Sequence, residues 1–380
     1  MWRWVWTTLV LGSLVFVAWA DEPNEIGLSG VDLAPEATPQ REVGTYVCKL
    51  DGSDERRLAG PTIPAWLPDG RQLLLATNNA LYRLDHDGGR KTMIWRDPQV
   101  QMLLDLRIAG SGLFASALGV RRNGQGSMMV WRLSDSELIL DDLLYRDAVI
   151  EPPDETGYGG RYLSSISAWS PHADSLAWVP MEYDGLAERT RGVKVFDAQS
   201  ERWGTWYVDR PVWSLTWHTE RPSLILTVGL AAQIITDETP APPVALLDIS
   251  GDGRVQTVLA DELDGAVASD LPMTWLPRCG LFAWGQSFYG ADGEPAPPYI
   301  PEGEAPTARL LWVSRSGRDL VLAATRVTDE GHWQSELVQG LTGAPWDTFR
   351  TLAQLPVLPS GVLASPDGAR LVFVVGGYVD

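Results

Sequence analysis

The chain has 380 residues, of which 49 are acidic and 30 are lysine or arginine, so its formal net charge is −19. A balance this acidic disfavours nucleic acid and anionic membrane surfaces as partners, because both repel negative charge. The two cysteines, Cys48 and Cys279, are too few for a disulfide framework, although they would be able to pair with each other in an oxidising compartment.

The N-terminal segment has the pattern of an export signal. Residues 1–20 are apolar except for Arg3, and they end in the small-x-small pattern Ala18-Trp19-Ala20. This predicts a secretory signal peptide and a periplasmic or secreted protein. The alternative is an N-terminal membrane anchor on an extracytoplasmic chain, because the apolar run approaches the length of a short span. Residues 21–42 are polar, contain scattered prolines and are predicted to be a flexible lead-in.

Residues 43–380 are predicted to form one β-domain, because a short hairpin pattern recurs along them. In its clearest copy, residues 65–75, a tryptophan precedes a tight Pro-Asp-Gly turn and an apolar run follows. The turn residues and the flanking apolar runs predict two antiparallel strands, which we call an a–b pair. Further copies of this pair are at residues 106–114, 169–178, 217–226, 275–284 and 364–373.

A second hairpin, the c–d pair, joins two apolar strands by a polar turn. Its copies are at residues 46–58, 81–94, 129–143, 193–208, 244–259 and 309–324. Repeated hairpins that cannot bury a core alone are typical of radial repeat folds. Equal numbers of the two pairs predict an all-β, six-bladed β-propeller with four-stranded blades.

The order of the hairpins predicts how the ring closes. The chain starts with a c–d pair and ends with an a–b pair, so residues 361–376 and 44–58 are expected to share the last blade. The alternative is an irregular seven-bladed ring. In that case strands near 333–341 and 348–355 would make residues 309–325 an a–b pair. The prolines of residues 286–308 argue against it, because proline fits poorly in a strand ladder.

The turn motifs also carry a family resemblance. They are Trp66-Leu67-Pro68-Asp69-Gly70, Trp169-Ser170-Pro171, Ser365-Pro366-Asp367-Gly368, and Leu50-Asp51-Gly52-Ser53 followed by Arg57-Leu58. Together they resemble the WD40-like repeat (PD40) of TolB-type propellers over most of residues 44–376. The resemblance implies a lone propeller without the additional N-terminal domain of TolB, and it implies little about function.

The predicted connections differ in length between the two faces of the ring. The turns within the a–b and c–d pairs are tight and belong to one face. The longer b–c connections (117–128, 180–192, 229–243 and 285–308) and d–a connections (144–166, 260–271 and 326–361) belong to the other. Insertions restricted to one face are typical of a binding face.

Aromatic and arginine side chains in these connections are the candidate partner-binding residues, because such residues dominate protein interfaces. They are Tyr145, Tyr158, Tyr162, Tyr183, Arg189, Arg191, Phe288, Tyr289 and Tyr299. The same connections carry carboxylates that could bind Ca²⁺, but solvation explains each of them individually, so we expect no cofactor.

The sequence contains no G-x-S-x-G, H-E-x-x-H, P-loop or EF-hand pattern, and its four histidines do not suggest a zinc site. We therefore expect an exported, monomeric, non-catalytic propeller that binds a protein or peptide of the cell envelope. The alternative is an extracytoplasmic hydrolase or lyase with a central carboxylate or metal site. That alternative is favoured if the ends of the inner strands bring together three or more carboxylate, histidine or asparagine side chains.

Overall fold

The protein is described here by a computed structural model. It covers residues 41–145, 166–179, 192–208, 212–218, 221–229, 244–251, 253–254, 256–260, 274–276, 281–284, 287–290, 295–296, 307–313, 319–327, 333–341, 343–355 and 362–375. These residues form an all-β structure with one 3₁₀ helix, Trp346–Thr348. None of the helical residues described makes a segment long and apolar enough to cross a membrane. The predicted signal peptide, residues 21–40 of the predicted lead-in and Cys279 lie outside the described residues.

The strands of the first half of the chain belong to four blades. One of these is the seventh blade, which contains β1 (Gly44–Lys49) and β2 (Arg56–Ala59) and is completed by strands from the C-terminus. The first blade contains β3 (Ile63–Trp66), β4 (Gln72–Ala76), β5 (Ala80–Asp85) and β6 (Lys91–Arg96). The second contains β7 (Val100–Ile108), β8 (Phe114–Arg121), β9 (Gly126–Arg132) and β10 (Glu137–Tyr145). The third contains β11 (Ile166–Trp169), β12 (Ser175–Val179), β13 (Gly192–Asp197) and β14 (Arg202–Tyr207).

The second half of the chain continues the series and returns to the shared blade. The fourth blade contains β15 (Val212–Trp217), β16 (Ser223–Gly229), β17 (Val244–Ser250) and β18 (Gln256–Ala260). The fifth contains β19 (Thr274–Leu276), β20 (Leu281–Trp284), β21 (Ser287–Gly290) and β22 (Pro295–Ala296). The sixth contains β23 (Thr307–Val313), β24 (Asp319–Val327), β25 (Trp333–Leu341) and β26 (Arg350–Leu355). The seventh is completed by β27 (Val362–Ala364) and β28 (Arg370–Val375).

Within each blade the strands run from the centre of the ring to its outside. The first strands of neighbouring blades contact one another, as β3 contacts β7 and β11 contacts β15. The second strands are buried along most of their length, whereas outer strands such as β6 and β14 are largely exposed. This gradient is expected of radial sheets that pack face to face around an axis.

The predicted closure of the ring is confirmed. In the seventh blade β1 pairs antiparallel with β28 over residues 44–49 and 370–375, and the sheet order is β2-β1-β28-β27. The two ends of the chain therefore meet inside a single sheet and leave no open edge between the seventh and first blades.

The predicted blade count of six is wrong, and the seven-blade alternative is correct, since the described residues form seven four-stranded sheets. Residues 309–324 lie in the inner pair of the sixth blade, whose outer pair is β25 and β26. The fifth blade gains its outer pair from β21 and β22, in the proline-rich segment that argued against it. Pro295 is tolerated there because it lies in the outermost strand, where only one side of the backbone must pair.

The core lies between blades as well as within them. One apolar cluster joins Leu74 and Leu81 of the first blade to Trp131 of the second, and another joins Met128 of the second to Trp178 of the third.

The tryptophans that mark the a–b pairs reach to the preceding blade. The indole N–H of Trp66 donates to Leu363 O (3.4 Å), that of Trp169 donates to Ser116 Oγ (2.9 Å), and that of Trp217 donates to Ala168 O (2.9 Å). These repeated tryptophans are therefore inter-blade packing residues, as their position in the repeat predicts.

Candidate functional site

The strand bounds divide the connections between two faces of very different character. The side of the ring at which each second strand ends and each third strand begins is called the loop-bearing face. Connections 146–165, 180–191, 230–243, 261–273 and 297–306 all join strand ends on this side. On the opposite side, the tight-turn face, every connection within the a–b and c–d pairs is shorter than any of these five. Long insertions are thus confined to one face, as predicted.

Three of the predicted connections require correction. Segment 117–128 consists mostly of the ends of β8 and β9, which extend further than their polar turn suggests. Segment 326–361 contains β25 and β26, and segment 285–308 contains β21 and β22. The long connections that remain belong to the sector between the second and sixth blades.

The predicted partner-binding residues fall into two groups. Tyr158, Tyr162, Tyr183, Arg189, Arg191 and Tyr299 lie outside the described residues. The others lie in strands: Tyr145 ends β10 opposite Gly126, while Phe288 and Tyr289 are in β21. The prediction that Phe288 and Tyr289 belong to a loop is therefore wrong, because they pair with β20 on one side and β22 on the other.

Two exposed side chains on the loop-bearing face were not predicted. Tyr207, at the end of β14, is 79% exposed, and Leu143, near the end of β10, is 41% exposed. Both belong to outer strands of neighbouring blades, at the ends from which the loop-bearing face is built. Sequence alone did not distinguish them, because each is the kind of apolar or aromatic residue that also occurs at covered positions of a strand.

Charged side chains at this end of the second and third blades are paired with one another. Arg121, the last residue of β8, pairs with Asp97 (3.5 Å) and with Asp141. Lys194 of the third blade reaches Asp142 of the second at 2.6 Å. These pairs join adjacent blades beside Leu143, so the exposed leucine lies on a fixed framework rather than on an isolated strand.

The inner strands carry one carboxylate in the part of the chain that the structure describes. It is Asp105 of β7, which has a positive φ of 50° at a bulge and accepts hydrogen bonds from Arg107 Nε (2.9 Å) and Ser167 Oγ (3.1 Å). No group of three or more His, Cys, Asp or Glu side chains suited to a metal ion occurs among the described residues. Asp105 therefore joins the inner strands of two blades, and the described inner strands do not bring further carboxylates to it.

A cleft lined by tryptophans lies on the tight-turn face between the third and fourth blades. It has a volume of about 310 Å³, and we call it the tryptophan cleft. The rings of Trp206 and Trp217 meet edge to face, with centroids 6.2 Å apart, and Val195 and Gly204 also line the cleft. A Cβ on Gly253, whose φ is 70°, would lie 2.6 Å from the Trp206 ring, so this turn holds the indole closely and requires glycine.

Polar groups surround the tryptophan cleft. Asp197 and Arg202 lie opposite each other in the pairing of β13 with β14, and both line the cleft. His172 lies on the other side, where its Nε2 is 3.0 Å from the backbone oxygen of His218. Because a carbonyl oxygen only accepts, this contact requires the proton on Nε2. Trp203, which is 60% exposed, stands at the rim.

A second cavity, of about 260 Å³, lies at the seam between the sixth and seventh blades. It is lined by Cys48 of β1, by Phe373 of β28 and by the ion pair of Arg41 with Glu55 (2.6 Å). Cys48 is a buried free thiol, so the possible disulfide with Cys279 is not formed. Burial, assisted by the nearby carboxylates of Glu55 and Asp51, raises the pKa of the Cys48 thiol to about 12.

This pKa predicts a specific alkaline sensitivity. Because the folded chain holds the thiol proton more tightly than the unfolded chain, with its ordinary pKa of 9.0, stability falls as pH rises from about 9 towards about 12. Cys48→Ala should remove this contribution. Between pH 9 and pH 10 the free energy of unfolding of the parent chain should fall by about 1 kcal/mol more than that of the variant. Urea titrations at both pH values measure the difference, and parallel pH profiles for the two chains would contradict it.

Comparison with known proteins identifies the fold. No protein-family model and no curated protein matches the chain. The β-propeller domain of the Trilobed protease from Pyrococcus furiosus, described as having an open velcro topology, aligns with 81% of this chain and 86% of its own at 14% identity and a TM-score of 0.50. A putative TolB from Agrobacterium tumefaciens aligns with 88% of this chain and 98% of its own at 14% identity and a TM-score of 0.40.

An oligogalacturonate lyase in complex with manganese also aligns, with 78% of this chain and 82% of its own, at 10% identity and a TM-score of 0.48. Identities this low show the fold alone. The chain is a β-propeller, which is the fold that the predicted resemblance implies.

Proposed function

We propose that this chain is an extracytoplasmic, non-catalytic propeller that binds a protein or peptide of the cell envelope through its loop-bearing face. The observation that carries the proposal is the confinement of all five long connections to that face. Drift in unconstrained turns would lengthen both faces, whereas selection for a binding surface lengthens one. The export part of the proposal rests on the apolar segment of residues 1–20.

The side chains described at this face support a macromolecular partner. Tyr207 and Leu143 expose apolar surface on two adjacent blades. Leu143 lies two residues before the end of β10, from which connection 146–165 leaves, and Tyr207 pairs with Gly192, the residue that follows connection 180–191. Large apolar or aromatic side chains with paired charges around them are the usual anchors of protein interfaces. A protein or peptide lying across the second and third blades would cover both anchors and meet the inserted segments.

The test compares matched exposed leucines on the two faces. The immobilised chain would be exposed to an envelope extract, and the captured polypeptide would then be purified and titrated against variants. Leu143→Ser and Tyr207→Ser should each weaken binding about tenfold or more, because an interface anchor contributes about 2 kcal/mol. Leu113→Ser is the control, since Leu113 is 47% exposed in a turn of the tight-turn face.

All three variants change exposed side chains and should keep the melting temperature of the parent chain. Equal affinities for the parent, Leu143→Ser and Tyr207→Ser chains would contradict the proposed surface. Loss of binding in Leu113→Ser with retention in the other two would place the partner on the tight-turn face instead.

A further inference from the structure

The tryptophan cleft has the dimensions and lining of a small-ligand site that is separate from the loop-bearing face. Its volume of about 310 Å³ lies at the lower end of the range for small-molecule pockets, roughly 300–1,000 Å³. Its accessible aromatic surface comes from Trp206, which is half-buried, and Trp203, which is 60% exposed, whereas Trp217 also lines the cleft but is only 6% exposed. Gly204 and Gly251 line it without side chains, so the Trp206 ring remains partly accessible.

The polar groups of the cleft retain hydrogen-bonding capacity. Asp197 Oδ1 accepts from the backbone N–H groups of Gln199 (2.9 Å) and Ser200 (3.1 Å), which fixes the carboxylate at the turn. Among the contacts described, Asp197 Oδ2 and the Arg202 guanidinium have no partner, and the Trp206 indole N–H makes no hydrogen bond. The cleft therefore offers one fixed acceptor and several donors next to aromatic rings.

The charges of the cleft select against ionic ligands. Asp197 and Arg202 contribute one charge of each sign, and they face each other across two paired strands. Two charged groups beside the lining are engaged elsewhere: Asp174 accepts from Gln199 Nε2 at 2.7 Å, and Arg221 pairs with Asp248 at 2.6 Å. Because the charges of Asp197 and Arg202 cancel, the lining favours neither an anion nor a cation, and a ligand without net charge matches it best.

We infer that the tryptophan cleft binds one or two sugar rings of a neutral glycan. The C–H faces of a sugar ring are apolar and pack on an indole, while its hydroxyl groups both donate and accept hydrogen bonds. Asp197 accepts from such hydroxyls, and Arg202 and the Trp206 N–H donate to them. A peptide of polyproline type also packs on aromatic grooves, but its side-chain rings offer no hydroxyl for Asp197.

The test is calorimetric titration of the full chain with maltose, cellobiose and N,N′-diacetylchitobiose in parallel. At least one of these neutral disaccharides should bind, and Arg202→Ala should weaken that binding tenfold or more. Asp197→Asn, which keeps the Oδ1 acceptor for the turn, should weaken it severalfold. Arg350→Ala is the matched control, because Arg350 is also exposed at the first position of an outer strand, β26.

Both Arg202→Ala and Arg350→Ala should keep the parent melting temperature, because each changes an exposed side chain. The inference is overturned if none of the three disaccharides binds, or if they bind equally well to Arg202→Ala. It is also overturned if only an acidic disaccharide or a proline-rich peptide, titrated in the same way, binds with dependence on Arg202.

Discussion

A chain that lacks residues 361–380 is expected to be insoluble or rapidly degraded. The deletion removes β27 and β28, and with them the full ladder between β28 and β1. Leu371 and Val372 are completely buried, and they contact the sixth and first blades respectively. Their loss exposes apolar surface on both neighbouring blades, at about 25 cal/mol per Å², and leaves β1 with an unpaired edge.

The matched control is a chain that lacks residues 1–40, which precede every strand that the structure describes. This chain keeps β1, β2 and the ion pair of Arg41 with Glu55, so it should remain soluble. Expression, limited proteolysis and a thermal melt distinguish the two deletions. A chain without residues 361–380 that melts cooperatively near the midpoint of the intact protein would refute the shared seventh blade.

The closure of the ring was predictable because it depends on local patterns. Each hairpin is specified by its own turn, as at Pro68-Asp69-Gly70, and the order of the hairpins then determines which strands must pair. The blade count was less predictable. The fifth blade ends in the two-residue strand Pro295–Ala296, which has neither the length nor the composition of a typical strand, so its hairpin resembled a loop.

The surface sites could not be predicted from the sequence, because each depends on strand register and on contacts between blades. Trp206 reaches the tryptophan cleft since β14 pairs with β13 in a register that turns Arg202, Gly204 and Trp206 towards the fourth blade. A shift by one residue would turn Trp206 to the opposite side of the sheet. The repeat pattern also marks Trp217 as a packing residue, and only the neighbouring blade shows that its ring lines a cleft as well.

Phe373→Ala is expected to weaken the seam of the ring selectively. Phe373 is 1% exposed and stacks on Tyr46 of β1, with ring centroids 5.6 Å apart and planes inclined by 7°. Its removal from a packed site costs about 3–5 kcal/mol. The seventh blade is the one whose inner and outer pairs come from opposite ends of the chain, so we expect it to open locally at lower free energy than the rest.

Cys48 reports this opening, because alkylation requires an accessible thiolate and the folded chain denies both accessibility and ionisation. In a Cys279→Ser background, Phe373→Ala should accelerate iodoacetamide labelling of Cys48 by roughly two to three orders of magnitude, since the labelling rate then follows the population of the open state.

Phe114→Ala is the control. Phe114 is buried between the second and third blades, far along the ring from the seam. This variant should lower the melting temperature comparably while leaving the labelling rate near that of the parent. If both variants accelerate labelling to the same extent, Cys48 is exposed only by global unfolding, and the seventh blade does not open as a separate unit.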